Sequence, residues 1–177
     1  MDRDRSAERV KRLKVEPVND SLLRFHASLV DTAYDANGDE LIHSLSIDGT
    51  ISVPELEILT AEPYVVQQPH PECTKSLDPV RNLVGCRIGP GYRSKVQGIL
   101  GGTSGCSHFL TLAFDLGASH TLSLFLRMRS QGQFENRNAP EGFWIRNGLK
   151  IEPRLENACI ALTSDSTTIA NAKRERV

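Results

Sequence analysis

Two places in the chain hold residues able to do chemistry. The first is "GILGGTSGCSHFL", Gly98–Leu110, which puts Cys106 and His108 beside a run of glycines. A helix starting there leaves its first backbone N–H groups without helical partners. Together with the helix dipole they favour a thiolate or a bound anion. Cys106 and His108 read as a reactive thiol, an anion-binding turn or half of a metal site. The structural alternative is a small buried cysteine beside a capping histidine.

The second place is a pair of alternating apolar segments. "LLRFHASLVDTAY" puts Leu23, Phe25, Ala27 and Leu29 on one face, and "DELIHSLSID" does the same with Leu41, His43, Leu45 and Ile47. "DANGD" between them is a hairpin signal. A two-residue Asn-Gly turn mismatches the apolar faces. A three-residue loop closed by Gly38 in the left-handed conformation sets Leu29 opposite Leu45 and Ala27 opposite Ile47. The same register sets Asp31 opposite His43 on the apolar face. A carboxylate beside an imidazole orients the ring and favours proton uptake, the arrangement of a general base. The bland reading of this pair is a satisfied core histidine.

Other candidates are scattered. Cys73 and His70, in "HPEC", could join Cys106, His108 and His43 around zinc or iron, although no paired C-x-x-C element is present. Arg87, Tyr92 and Arg93 flank "GPG". Arg87 could clamp a carboxylate or phenolate, and Tyr92 could give or take a proton. Phe109, Phe114, Phe125, Phe143 and Trp144 either line an apolar pocket or fill the core; Trp144, expected in a loop, is the best placed to meet a ligand. No G-x-x-x-x-G-K-[ST] phosphate loop and no G-x-S-x-G elbow occurs.

The elements that must position these residues follow from the same patterns. A third strand is expected over "ISVPELEIL", with a bulge near Pro54 and an edge position because of the proline. "AEPYVVQQPHPEC" reads as a loop, "SLDPVRNLVG" as a short helix with Asp78 as its cap, and a second helix ends at Gly101-Gly102. Thr103 or Ser104 then caps a long helix to about Arg129, with Phe109, Leu112, Ala113, Leu116, His120, Leu124 and Arg127 at helical spacing. Residues 131–153 read as a polar loop, followed by a short strand or helix at Cys159–Leu162. The fold class is α+β: an antiparallel meander packed on one face against a long helix and shorter ones. Residues 1–20 are expected as a charged arm outside the core, 21–162 as one domain, and 163–177 as a polar tail.

The composition is that of a soluble protein, with 39% hydrophobic and 24% charged residues and a net charge of −1. That charge offers nothing to a nucleic acid. Asp115, Gly117 and His120 interrupt the run Phe109–Met128, which argues against a bilayer span. The charged N-terminus is unlike a secretory signal, and four irregularly spaced cysteines suggest reduced thiols in the cytoplasm.

The segment "LVGCRIGPGYRSKVQGILGGTSGCSHFLTL" resembles a bacterial family known only as a domain of unknown function, DUF2889. The matching positions are Leu83–Gly85, Arg87–Gly91, Leu100–Gly102, Gly105, Cys106 and His108. Phe109 stands where the family usually has leucine. Cys73 resembles a cysteine that follows the family's meander, and His43 a histidine of its second strand. The resemblance runs from about Leu22 to Leu126 and implies a fold and a site location, without a general activity.

These features lead to the expectation of a small cytoplasmic enzyme, a cofactor-independent lyase or isomerase. It would use acid–base chemistry on an apolar or aromatic, plant-derived small molecule. His43 is the expected base, Asp31 its orienting group, and Tyr92 or Arg87 the hold on the polar end. Cys106, His108 and Trp144 complete the pocket. The alternatives are a zinc- or iron-binding or ligand-binding module using Cys73, Cys106 and His108, and an interaction protein whose glycine turn is architectural. No nucleic-acid or membrane partner is expected, and a homo-oligomer is open.

Overall fold

The computed structural model describes residues 5–130 and 143–174. It comprises two compact units, residues 1–120 and 121–177. Residues 131–142 of the polar loop expected over 131–153, and the last residues of the polar tail, 175–177, lie outside the described residues.

The first unit is built on a four-stranded antiparallel meander, β1 (Ser6–Asn19), β2 (Leu22–Asp35), β3 (Gly38–Ser52) and β4 (Ile58–Gln67), in that spatial order. Its alternating pattern buries one face. Leu23, Phe25, Ala27 and Leu29 of β2 and Leu45, Ile47 and Ile51 of β3 are all buried, while Arg24 and His26 on the other face are exposed. The expected charged arm is therefore an edge strand: Leu13 and Val15 pair with Ala27 and Phe25, and Val15 is buried. Sparse apolar residues suffice at an edge because its partner supplies most of the buried surface.

The β2–β3 register is the expected one, with Ala27 opposite Ile47, Leu29 opposite Leu45 and Asp31 opposite His43. The means differ. The hairpin turns through Ala36 and Asn37, with Asp35 paired to Gly38, and the missing residue is absorbed by a bulge between Asp31 and Thr32 that leaves Ile42 unpaired. Asp35 shapes the turn by accepting the Asn37 N–H at 2.6 Å. Gly38 has a positive φ of 129°. The third strand also differs from expectation. Ile51 and Ser52 still belong to β3, the chain turns around Pro54, and β4 runs through the stretch read as a loop. Pro63 is tolerated in β4 because this is an edge strand.

The helices of this unit are α1 (Leu77–Arg81), α2 (Tyr92–Leu100) and α3 (Ser107–Asp115), with α3 over β2 and β3 and α1 against β4. Ser76, not Asp78, is the residue before α1. Phe109, Leu112 and Ala113 of α3 are buried. The long helix is interrupted by a tighter turn at Leu116–Ala118 before α4 (Ser119–Ser130). The run 107–129 has the length and composition of a membrane span, and 39% of its most apolar 18-residue stretch is buried.

The second unit holds most of α4, then α5 (Phe143–Ile151) and α6 (Thr167–Lys173). The predicted loop at 143–153 is thus largely helical, and the tail carries a helix capped by Ser166. Leu124, Met128 and Leu155 form one apolar cluster and Ile145, Ile169 and Ala172 another. Arg146 donates to the carbonyls of Asn171, Ala172 and Arg174, satisfying the end of α6.

The sheet depends on a close approach at Gly49. A Cβ there would lie 2.1 Å from the Thr60 carbonyl oxygen and 2.6 Å from the Phe25 ring. Gly49→Ala is expected to destabilise the protein by about 1–3 kcal/mol through overpacking. An unchanged urea midpoint would contradict this packing.

Candidate functional site

The charged and sulfur-bearing groups meet where the end of the meander passes under the start of α3. Asp31 closes the buried side of β2 and is itself 8% exposed. Burying a carboxylate requires partners, and β1 supplies the principal one. Arg9, paired directly opposite Asp31, donates from Nε to Oδ1 at 2.6 Å and from Nη2 to Oδ2 at 2.8 Å. This two-point clamp holds the Asp31 carboxyl below the usual carboxylate range, against the opposing effect of burial.

His43, across the sheet from Asp31, donates from Nδ1 to Oδ2 at 2.9 Å. With an ionised carboxylate as partner, Nδ1 is the protonated nitrogen and Nε2 carries the free lone pair. The bulge at Ile42 is what returns His43 to the buried face after the tight hairpin.

His108 arrives from above. Its ring lies 3.9 Å from that of His43, centroid to centroid, and its Nε2 is 3.5 Å from Asp31 Oδ2. On its other side, Nδ1 is 3.3 Å from Cys106 Sγ. Burial is the main cause that pushes the His108 pKa down, helped by the nearness of His43 and Arg9 and opposed by Asp31. A neutral His108 with Nε2–H towards Asp31 leaves Nδ1 to accept from the Cys106 thiol.

The glycines explain how Cys106 is delivered. Gly101 ends α2, and Gly102 turns the chain with φ of 59°. A Cβ on Gly105 would stand 2.7 Å from the Leu100 backbone, so only glycine lets the chain press against α2 there. Cys106 is then the residue immediately before α3, in extended conformation. The expected caps, Thr103 and Ser104, belong instead to a separate short turn. No side chain caps the first turn of α3.

His43, Cys106 and His108 line an open cavity of about 770 Å³ with Pro69, His70, Cys73, Ser76 and the 102–105 turn. Arg9, Asp31 and His43 also border a second recess of about 390 Å³ with Glu8, Thr32 and Ile42. The structure thus brings Asp31, His43, Cys106 and His108 together and sets Cys73 and His70 on the same cavity wall.

It does not bring the other candidates there. Tyr92 is buried; its hydroxyl donates to the Ala113 carbonyl at 2.8 Å, and burial pushes its pKa well up. The phenol is a tie between α2 and α3, which removes it from the expected proton transfer. Arg87 is exposed, paired with Glu57 at 3.0 Å, and does not line the cavity. Phe109 is core, and Phe114 lies under the Arg93 guanidinium at 4.2 Å. Trp144 belongs to α5 in the second unit, where it stacks on Phe125 at 6.3 Å between centroids.

Arg9 is the residue that sequence reasoning missed. Its signal was present: Arg9, Lys11, Leu13 and Val15 share one alternation phase, and the two apolar members mark the buried side. Lys11, on that same face, pairs with Asp115 at the end of α3 at 2.7 Å.

Asp31, His43 and His108 each offer a donor atom, all within 4.8 Å of one another. This donor set nevertheless fits a divalent cation poorly. Arg9 donates to both carboxylate oxygens, so an ion held there would share Asp31 with a fixed positive charge.

A family model described as a protein of unknown function (DUF2889) matches residues 7–121, and the chain belongs to that family. The match begins in β1 and so takes in Arg9 along with the rest of the cluster. No curated protein and no solved structure matches.

Arg9→Ala leaves the Asp31 carboxylate without its main donor and is expected to cost about 1–3 kcal/mol at neutral pH. The depressed pKa contributes stability above the unfolded carboxylate pKa, and that contribution is lost as the pH falls through the folded one. The difference between wild type and variant should therefore shrink towards zero in acid. Denaturant titrations at neutral and acid pH check this; a gap that is independent of pH would contradict it.

Proposed function

We propose that this member of the family is a small enzyme working by proton transfer, a lyase or isomerase whose base is His43. The observation that carries the reading is the bond from His43 Nδ1 to an Asp31 already clamped by Arg9, at the wall of a cavity of about 770 Å³. An imidazole held this way has its tautomer and ring plane set before substrate arrives, and Nε2 is the atom that takes the proton. Among the described residues, His43 makes no other protein hydrogen bond.

The substrate in this reading is a small organic molecule with a removable proton, on a hydroxyl or on carbon beside a carbonyl. The cavity is of a size for a single-ring compound. Pro69 and the glycines of the 102–105 turn leave room for an apolar or aromatic body, and Glu72 and Lys75 add charge to the rim of the same lining. The aromatic side chains expected to line the pocket lend no support, since Phe109 is buried in the core and Phe114 borders a different recess. As proposed, the reaction uses no metal and no nucleotide cofactor. The Arg9 clamp favours this over an ion held by Asp31, His43 and His108, and in this reading Cys73, Cys106 and His108 serve as cavity wall. The reading sets the enzyme in the cytoplasm with a small-molecule partner.

Hydrogen exchange tests it. Aryl ketones and hydroxyketones incubated with the protein in D2O should gain deuterium beside the carbonyl, followed by NMR. His43→Gln should slow that exchange by roughly 10²–10⁴-fold, and Asp31→Asn should slow it through the wrong tautomer. Exchange that persists at the wild-type rate in folded His43→Gln would overturn the assignment.

A further inference from the structure

We propose that the same cavity carries a second, nucleophilic function: Cys106 is an acyl-accepting thiol, His108 its base and Asp31 the group that orients His108. Four observations meet here. Cys106 Sγ lies 3.3 Å from His108 Nδ1, and His108 Nε2 lies 3.5 Å from Asp31 Oδ2, so thiol, imidazole and carboxylate stand in the order of a nucleophile, a base and an orienting acid. Both Cys106 and His108 line the cavity of about 770 Å³. The first turn of α3 has no side-chain cap, and its first helical bond runs from Leu110 N to Cys106 O. The N–H groups of Ser107, His108 and Phe109 precede that bond, where an oxyanion formed next to Cys106 needs donors. Finally, the bond to Asp31 is the main cause that pushes the Arg9 pKa up and Cys106 adds to it, which sets Arg9 within electrostatic reach of the thiol.

The substrate class is a small activated ester. In the first step the thiol proton passes to His108 Nδ1, an S–C bond forms at the carbonyl carbon, and the ester C–O bond breaks. The departing alcohol takes the proton from His108. In the second step His108 removes a proton from water and the oxygen attacks the thioester carbon. The C–S bond then breaks, and the sulfur recovers its proton from His108 as the acid is released. No oxidant or metal enters. This function rests on Cys106 and His108 and stands apart from hydrogen exchange at His43, so either can fail alone.

The probe is p-nitrophenyl acetate. The wild-type protein should release a burst of p-nitrophenolate equivalent to the protein present and carry one acetyl group on the peptide holding Cys106. Cys106→Ser should lose the burst. His108→Gln, which keeps the thiol, should acylate about a hundredfold or more slowly, and it keeps the test decisive if Cys106→Ser does not fold. Cys159→Ser, remote in sequence and exposed, should behave as wild type. The proposal is overturned if His108→Gln acylates at the wild-type rate. It is equally overturned if acetyl groups appear on Cys73 or Cys159 as readily as on Cys106.

Discussion

The site depends on the ion pair between Arg9 and Asp31. A carboxylate on the covered face of a sheet is costly unless its charge is met and its lone pairs are used. The edge strand meets both needs with one side chain, because cross-strand pairing puts Arg9 directly opposite. Once fixed, Asp31 accepts from His43 and lies 3.5 Å from His108 Nε2, and the tautomer of His43 follows from it. Without the pair, the carboxylate would lose its two-point hold, and its aim at the His43 ring would no longer be set.

Backbone devices place the remaining groups around that anchor. The bulge at Ile42 brings His43 back into phase with Leu45 and Ile47, converting a two-residue hairpin into the register that pairs it with Asp31. The glycine contact between Gly105 and the Leu100 backbone fixes where α3 begins, and so fixes Cys106 and His108. Both devices belong to the first unit and act over short distances. Lys11 adds a tie from β1 to the end of α3, so the strand that provides Arg9 is also held to the helix that provides His108.

Much of this was legible in the residues. The alternation of β2 and β3 fixed which residues face inward, and matching those faces gave the Asp31–His43 pair even though the turn was assigned one residue too long. Register is a global property of two long patterns, whereas a loop and a bulge can trade a residue without disturbing it. β1 was hidden because only Leu13 and Val15 of its inward positions are strongly apolar; Arg9 and Lys11 there find charged partners instead. β4 was hidden by Pro63, which an edge strand accommodates. The nearness of His108 to His43 was legible only as one possible grouping of metal-ligating residue types. It is a contact between a helix start and a strand far apart in sequence, and no local pattern encodes it.

The central claim is that an Arg9-clamped Asp31 fixes His43 with the proton on Nδ1 and the lone pair on Nε2. Histidine-selective two-dimensional ¹⁵N NMR at mildly alkaline pH reads this directly, with His43 assigned by its loss in His43→Gln. The expected result is a neutral His43 ring in the Nδ1–H form in the wild type, and a mixture of tautomers in Arg9→Ala. A His43 found in the Nε2–H form, or unchanged when Arg9 is removed, would contradict it.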